Sequence, residues 1–242
     1  MSTLKATFQF VEKASLPKNA IALFFDLEGF SRFFNQPDVQ TYVPVFLNHI
    51  SKEFSAVLFG GKSCWGEDEE AMRKLKLTVA HEKFMGDGGL YILLPPEGQT
   101  EFSVSHLSLL CNRLWMMKNQ FHKVIESALE RVPVAEIPRK IRFGLSSGTV
   151  YELQKSGASA PEYIGFCINL ASRLQNYCGD LGFIASARLM IPQDKLERSG
   201  YTKVVATKLK GFSSEIVIVD AKEYDALRPE IRESLFQDLS SR

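Results

Sequence analysis

The chain has 242 residues, 45% of them apolar and 24% charged, with a formal net charge of +1. This composition suits one large soluble domain, or one domain with extensions, and leaves no global field to draw nucleic acid or an anionic membrane. No apolar run approaches the roughly 20 residues of a membrane span, Met1-Ser2-Thr3-Leu4-Lys5 has no signal-peptide core, and Cys64, Cys111, Cys167 and Cys178 form neither a CxxC pair nor a His/Cys cluster, so a cytoplasmic protein with reduced thiols and no zinc site is expected.

Residues 1–18 read as a leader, with Phe8 and Phe10 at the alternating positions of an extra edge strand. Ile21 to Phe25 is a continuous apolar run that predicts a buried strand, ending in Asp26-Leu27-Glu28-Gly29-Phe30-Ser31. Asp26 therefore sits at the strand's C-terminal edge, where covered sheets commonly bind ligands; it would serve equally as a helix N-cap. Val43, Phe46, Leu47, Ile50, Phe54 and Val57 have helical spacing. A helix starting near Gly29 would offer the free N–H groups of Gly29, Phe30 and Ser31 to phosphate oxygens. Residues 59–74 read as a polar loop, with Glu67 to Glu70 a solvated face.

The next stretch, Lys83-Phe84-Met85-Gly86-Asp87-Gly88-Gly89, lies between apolar runs at Leu75 to Val79 and Leu90 to Leu94, which predicts a β-hairpin. Asp87 stands at its tip among glycines, and Lys83 on the strand leading in. A carboxylate in that setting suits a metal ion; an ordinary surface turn accounts for it too. Pro95 and Pro96 close the second strand.

Leu107, Leu110, Leu114, Met117, Phe121, Val124 and Ala128 stripe one long helix over residues 103–131, ended by Pro133 and Pro138. Ile141, Phe143 and Leu145 alternate as a half-buried strand that continues through Gly148 to Tyr151, followed by a loop over 154–161. A helix over 165–178 carries Asn169 and Arg173, four apart and so on one face; an ordinary exposed face would look the same. Short strands follow at Leu181 to Ala185, at Val204-Val205 and finally at Ile216 to Val219. A basic turn, Lys208-Leu209-Lys210-Gly211, lies between the last two. Lysines in such turns are ordinarily just solvated. The tail from Ala221 predicts a surface helix with apolar positions at Leu227, Ile231 and Leu235.

The order of elements predicts an α+β fold, an α/β sandwich built on a ferredoxin-like βαββαβ core, with helices on one face of an antiparallel sheet and further α/β elements at the C-terminal end. Residues 19–220 form the domain, flanked by the leader (1–18) and the tail (221–242). In such a core the first strand lies beside the central hairpin, so Asp26 and Asp87 converge. With the backbone carbonyl of Leu27 they make an oxygen site for Mg²⁺ or Mn²⁺.

Four segments together resemble the class III nucleotidyl cyclases: Phe25 to Ser31, Lys83 to Asp87, Arg142 to Val150, and Gly165 to Leu174. The resemblance spans residues 19–220, with the four motifs in the family's order. It implies two divalent cations on Asp26 and Asp87, ribose orientation by Asn169, and charge stabilisation on the transferring phosphoryl group by Arg173. Lys208, with Lys210 as the alternative, would contact the terminal phosphates. Lys83 and Glu162 take the positions that read the base. The reaction implied is attack of the ribose 3′-oxygen on the α-phosphorus with release of pyrophosphate, in a head-to-tail homodimer whose sites lie at the interface.

The base pair of residues departs from the familiar patterns. Adenylate-type members combine lysine with Asp or Thr, guanylate-type members glutamate with a small residue; here Lys83 accompanies Glu162. The longer acid would narrow the pocket and favour a smaller base. As a bare catalytic domain without an attached sensor, the chain is similar to the stand-alone pyrimidine cyclases of bacterial Pycsar anti-phage systems. UTP is therefore the expected substrate and cyclic UMP the product, acting on a separate effector; ATP is the runner-up. A catalytically inactive nucleotide-binding or dimerisation module is the alternative of a different class, disfavoured because Asp26, Asp87 and Arg173 are all present. An RNA-binding ferredoxin-like domain is disfavoured by the near-neutral charge.

Overall fold

A computed structural model describes residues 9–59, 77–157 and 160–239. The expected acidic loop at 59–74, Cys64, the start of the leader with Phe8, and the last tail residues lie wholly or largely outside the described residues.

The elements are β1 (Pro17–Glu28), α1 (Phe30–Phe34), α2 (Val39–Phe59), β2 (Thr78–Phe84), β3 (Gly88–Leu94), α3 (Val104–Leu129), β4 (Lys140–Leu153), β5 (Glu162–Gly165), α4 (Phe166–Gln175), β6 (Phe183–Ser186), α5 (Gln193–Arg198), β7 (Tyr201–Ala206), β8 (Glu215–Asp220), α6 (Ala221–Asp225), α7 (Pro229–Leu235) and β9 (Phe236–Asp238). One sheet runs β2-β3-β1-β4-β6-β8-β7-β9, with β5 paired to β4 off that path. Its first four strands have the ferredoxin-like order. β1 is antiparallel to both β3 and β4, whereas β4 and β6 are parallel, and this pair joins the core to the C-terminal strands.

β1 is apolar on both faces, and its alternation sorts the core. Ile21, Leu23, Phe25 and Leu27 pack with Phe46, Ile50 and Phe54 of α2 and with Leu110, Leu114 and Phe121 of α3. Ala20 and Ala22 face the other way, toward Cys167 and Ala171 of α4. The expectation of helices on one face alone is thus corrected: α4 covers part of the second face. It lies so close to β4 that a Cβ at Gly144 would fall 2.1 Å from the Ala171 carbonyl oxygen and 2.4 Å from the Gln175 nitrogen. Cys111, Cys167 and Cys178 are free and buried, and burial pushes the Cys111 and Cys167 thiols up to about 12 and about 11.

Several elements differ from expectation. The helix expected from near Gly29 is two helices: α1 is a single turn, and the chain breaks at Pro37 and at Asp38, whose φ is 60°. Residues 9–11 do dock at an edge, where Phe10 bridges Lys155 and the Val11 amide donates to the Gln154 carbonyl at 2.8 Å, but they form a bridge rather than a strand. The loop expected through residue 161 ends in β5, so Glu162 lies in a strand, opposite Leu153. The tail forms two short helices and then β9, which pairs with β7 beyond the strand expected to be last. No helix among the described residues is long and apolar enough to cross a membrane.

Because both backbone atoms and a buried side chain of α4 crowd Gly144, Gly144→Ala is expected to destabilise the chain by about 1–3 kcal/mol or more, read as a fall in thermal midpoint. An unchanged midpoint would contradict the packing of α4 on β4.

Candidate active site

The site begins where β1 leaves the sheet. Asp26 pairs in register with Gly88 on one side and Arg142 on the other. The hairpin tip is tied to the same place, since the Leu27 amide donates to the Asp87 carbonyl at 2.8 Å. A strand residue's own N–H and C=O point the same way, so the Leu27 carbonyl faces the tip as well. The turn itself closes through Met85 N–H to the Gly88 carbonyl at 2.8 Å, with Gly86 at φ 89°. Gly88 and Gly89 have a different purpose: a Cβ on Gly88 would lie 2.0 Å from the Phe25 carbonyl oxygen, and one on Gly89 would lie 2.5 Å from the Phe25 ring. Those glycines let β3 reach β1 and so bring Asp87 to Asp26.

Asp26 is mostly buried and accepts two hydrogen bonds from Arg142, Nη2 at 2.5 Å and Nε at 3.2 Å. Burial raises its pKa above the ordinary carboxylate value. Arg142 pulls it back by hydrogen bond and charge, while Asp87 and Glu28 push it further up. Asp87 is exposed, and it lines a cleft of about 570 Å³ together with Phe30, Ser31 and Phe34 of α1 and Phe84 of β2. Among the described residues no group of three or more His, Cys, Asp or Glu could hold a metal. Asp26 and Asp87 are a sparser, hard-oxygen set. Their mutual repulsion fits a cation between them, with phosphate oxygens needed to complete its shell.

Lys83 and Glu162 meet: Lys83 Nζ lies 3.6 Å from Glu162 Oε1, both side chains partly exposed. Lys83 shares a face with its partner Leu90, and Leu90 packs on the α4 side of the sheet. β5 reaches across that face, with the Tyr163 ring 5.7 Å from His81 on β2. Asn169 and Arg173 are both exposed on α4, clear of the buried Leu170, Ala171 and Leu174. Lys208 and Lys210 are exposed on either side of Leu209, which is buried. Arg173, Lys208 and Lys210 have no ion-pair partner among the described residues. Among the described residues, no hydrogen bond or ion pair joins the acids Asp26 and Asp87, the Lys83–Glu162 pair, and Asn169 or Arg173 of α4 to one another.

Sequence reading missed the role of Arg142 against Asp26. Its only signal was register, an arginine on the strand beside the one that ends in the acid. It also missed Arg113, buried on α3, whose Nη1 donates to the Leu58 carbonyl at 2.9 Å.

A raised carboxyl pKa means that the folded chain keeps a proton that the unfolded chain has already released. The associated stability is full below the unfolded value of 3.8 and is lost as pH rises through the folded value. Asp26→Asn is therefore expected to raise the thermal midpoint of the metal-free protein at pH 7, with a gain that shrinks as pH falls toward 4. A gain independent of pH would contradict the burial of a charged Asp26.

No family model matches the chain, and no curated protein matches it. Solved structures do match in fold. The adenylyl cyclase CyaB from P. aeruginosa superposes with a TM-score of 0.58 at 17% identity, over 85% of this chain and 94% of that one. The guanylyl cyclase Cya2 gives 0.56 at 17% identity, over 86% and 93%. The catalytic core of a rhodopsin-guanylyl cyclase with converted specificity, in complex with ATPαS, gives 0.50 at 17%, over 86% and 99%. The chain thus has the fold of class III nucleotidyl cyclase catalytic domains.

Proposed function

We propose that this chain is a nucleotidyl cyclase that converts a nucleoside triphosphate, UTP before ATP, to its 3′,5′-cyclic monophosphate and pyrophosphate. One observation carries the reading: in a cyclase fold, Asp26 and Asp87 meet at one corner beside a cleft, held there by the Leu27–Asp87 bond. Two divalent cations, Mg²⁺ or Mn²⁺, would supply charge neutralisation of the triphosphate.

The chain's own groups bind and orient. Asp26, Asp87 and the Leu27 carbonyl hold the cation end. The N–H groups of Gly29, Phe30 and Ser31 at the start of α1 receive phosphate oxygens. Asn169 orients the ribose, Arg173 offsets charge growing on the α-phosphoryl group, and Lys208 or Lys210 takes the terminal phosphates. The 3′-hydroxyl releases its proton to water and its oxygen bonds to the α-phosphorus as the bond to the β-phosphate oxygen breaks and pyrophosphate leaves; no side chain becomes covalently attached. As the resemblance implies, a head-to-tail homodimer would complete two sites, each with acids from one protomer and α4 from its partner.

Lys83 donates and Glu162 accepts. Their 3.6 Å separation sets one donor and one acceptor side by side, as the edge of a base would meet them. A diffusible product implies a separate effector, and the likeness to Pycsar cyclases would make that an anti-phage response.

The purified chain, incubated with each of the four triphosphates and Mn²⁺, is expected to release pyrophosphate and form cyclic UMP, identified by mass. Exclusive cyclic AMP would eliminate the pyrimidine reading, and no product from any base would support the inactive-module alternative. Asp87→Ala should lower the rate by at least about a hundredfold while leaving the thermal midpoint nearly unchanged. Shortening the acid with Glu162→Asp should shift kcat/KM toward ATP by about tenfold relative to UTP; an unchanged ratio would remove Glu162 from base selection.

A further inference from the structure

The tail beyond β8 has no part in the reaction described above, yet the end of its helix α7 bonds to one side chain beside α4. Tyr177 lies just past α4, its amide bonded to the Leu174 carbonyl at 3.2 Å. Its hydroxyl donates to the Leu235 carbonyl at the end of α7 and accepts from the amides of Thr207 at 3.0 Å and Lys208 at 3.3 Å. One donor and two acceptor sites are all that a phenol hydroxyl has, so its capacity is fully used. Thr207 reinforces the junction: its amide and its Oγ1 both donate to the Leu235 carbonyl, at 2.9 and 3.1 Å. Phe236, the first residue of β9, is buried and packs edge-on against the Tyr177 ring, with centroids 5.4 Å apart and planes at 88°.

The same turn is held at its far side. Phe212 packs edge-on against Phe166, the first residue of α4, at 5.2 Å. Arg188 covers that ring at 4.8 Å, and Glu215 holds Arg188 through two hydrogen bonds of 2.9 and 3.0 Å. Leu209 is buried in one cluster with Leu170 and Leu174 of α4. The turn is therefore fixed to both ends of the helix that bears Asn169 and Arg173, and Lys208 and Lys210 project on either side of the anchored Leu209.

We infer that Tyr177 is a positioning residue that sets the Lys208–Lys210 turn in register with Arg173, and that the C-terminal strand β9 keeps Tyr177 in place. The inference rests on the cyclase reading, because it gives the tail a role in gripping the terminal phosphates. Fixing a flexible, charged turn in advance removes the cost of ordering it when the ligand arrives.

The test is binding, without turnover. A 3′-deoxy nucleoside triphosphate lacks the attacking oxygen, and the matching 3′-deoxy monophosphate lacks the two terminal phosphates. Both are titrated with Mn²⁺ into the full chain and into Tyr177→Phe, which keeps the ring and its packing. The triphosphate should bind about tenfold more weakly to the variant, and the monophosphate equally well. Thr207→Val, which removes the hydroxyl's bond to Leu235 at nearly constant shape, should give a smaller loss of the same kind. Equal losses for both ligands would mean a merely structural Tyr177 and overturn the inference, as would full triphosphate affinity in Tyr177→Phe. Failure of the wild-type chain to bind either deoxy triphosphate, of uridine or adenosine, would overturn the cyclase reading and this inference with it.

Discussion

The hydrogen bond from the Leu27 amide to the Asp87 carbonyl is the constraint on which the candidate site depends. It joins the end of one strand to the tip of a hairpin made much later in the chain, and it forms only because the neighbouring backbones nearly touch. Any side chain at Gly88 would collide with the Phe25 carbonyl. The result is a corner with two carboxylates, one half-sheltered and one open to a cleft. Burying a carboxylate at such a corner is costly, and the cost shows in the raised pKa of Asp26, to which the charge of Asp87 adds. Arg142 offsets part of it from the strand on the opposite side. The corner is thus held together by backbone and balanced by one guanidinium.

The two faces of the sheet are packed differently. The side packed against α2 and α3 carries the large aromatic cluster around Phe25, Phe54 and Phe143. The other side is lined by small residues, Ala20, Ala22 and Gly144, where α4 lies almost on the backbone. Asp26 and Lys83 point to this second side. Small residues there are what let a helix with an exposed Asn169 and Arg173 lie so close to the sheet.

Much of this was legible because it is local. The apolar run before Asp26, the stripe on α3 and the glycine-rich tip each state their structure within a dozen residues, by period or by turn chemistry. Lys83 and Glu162 were paired by likeness to a family, and the chain brings them to 3.6 Å. What escaped was non-local. Nothing near Arg142 says that its partner is Asp26, and nothing near Arg113 says that it will be buried beside Leu58. β5 and β9 are only four and three residues long, too short for a period to show, and they exist because β4 and β7 offer open edges. The break after α1 had a signal in Pro37, which a stripe-based reading passed over.

The central strand also imposes an order of events. β1 leaves the ribosome before either of its partners is made: Phe24 pairs with Leu90 on one side and with Gly144 on the other. Until β4 is made, a strand apolar on both faces has no complete neighbour, and its unpaired edge is the kind of surface that recruits other chains. Closing loops of that length before the core can reward them slows folding. The strand that gathers the site is therefore also exposed to misassembly during synthesis until both β3 and β4 have been made.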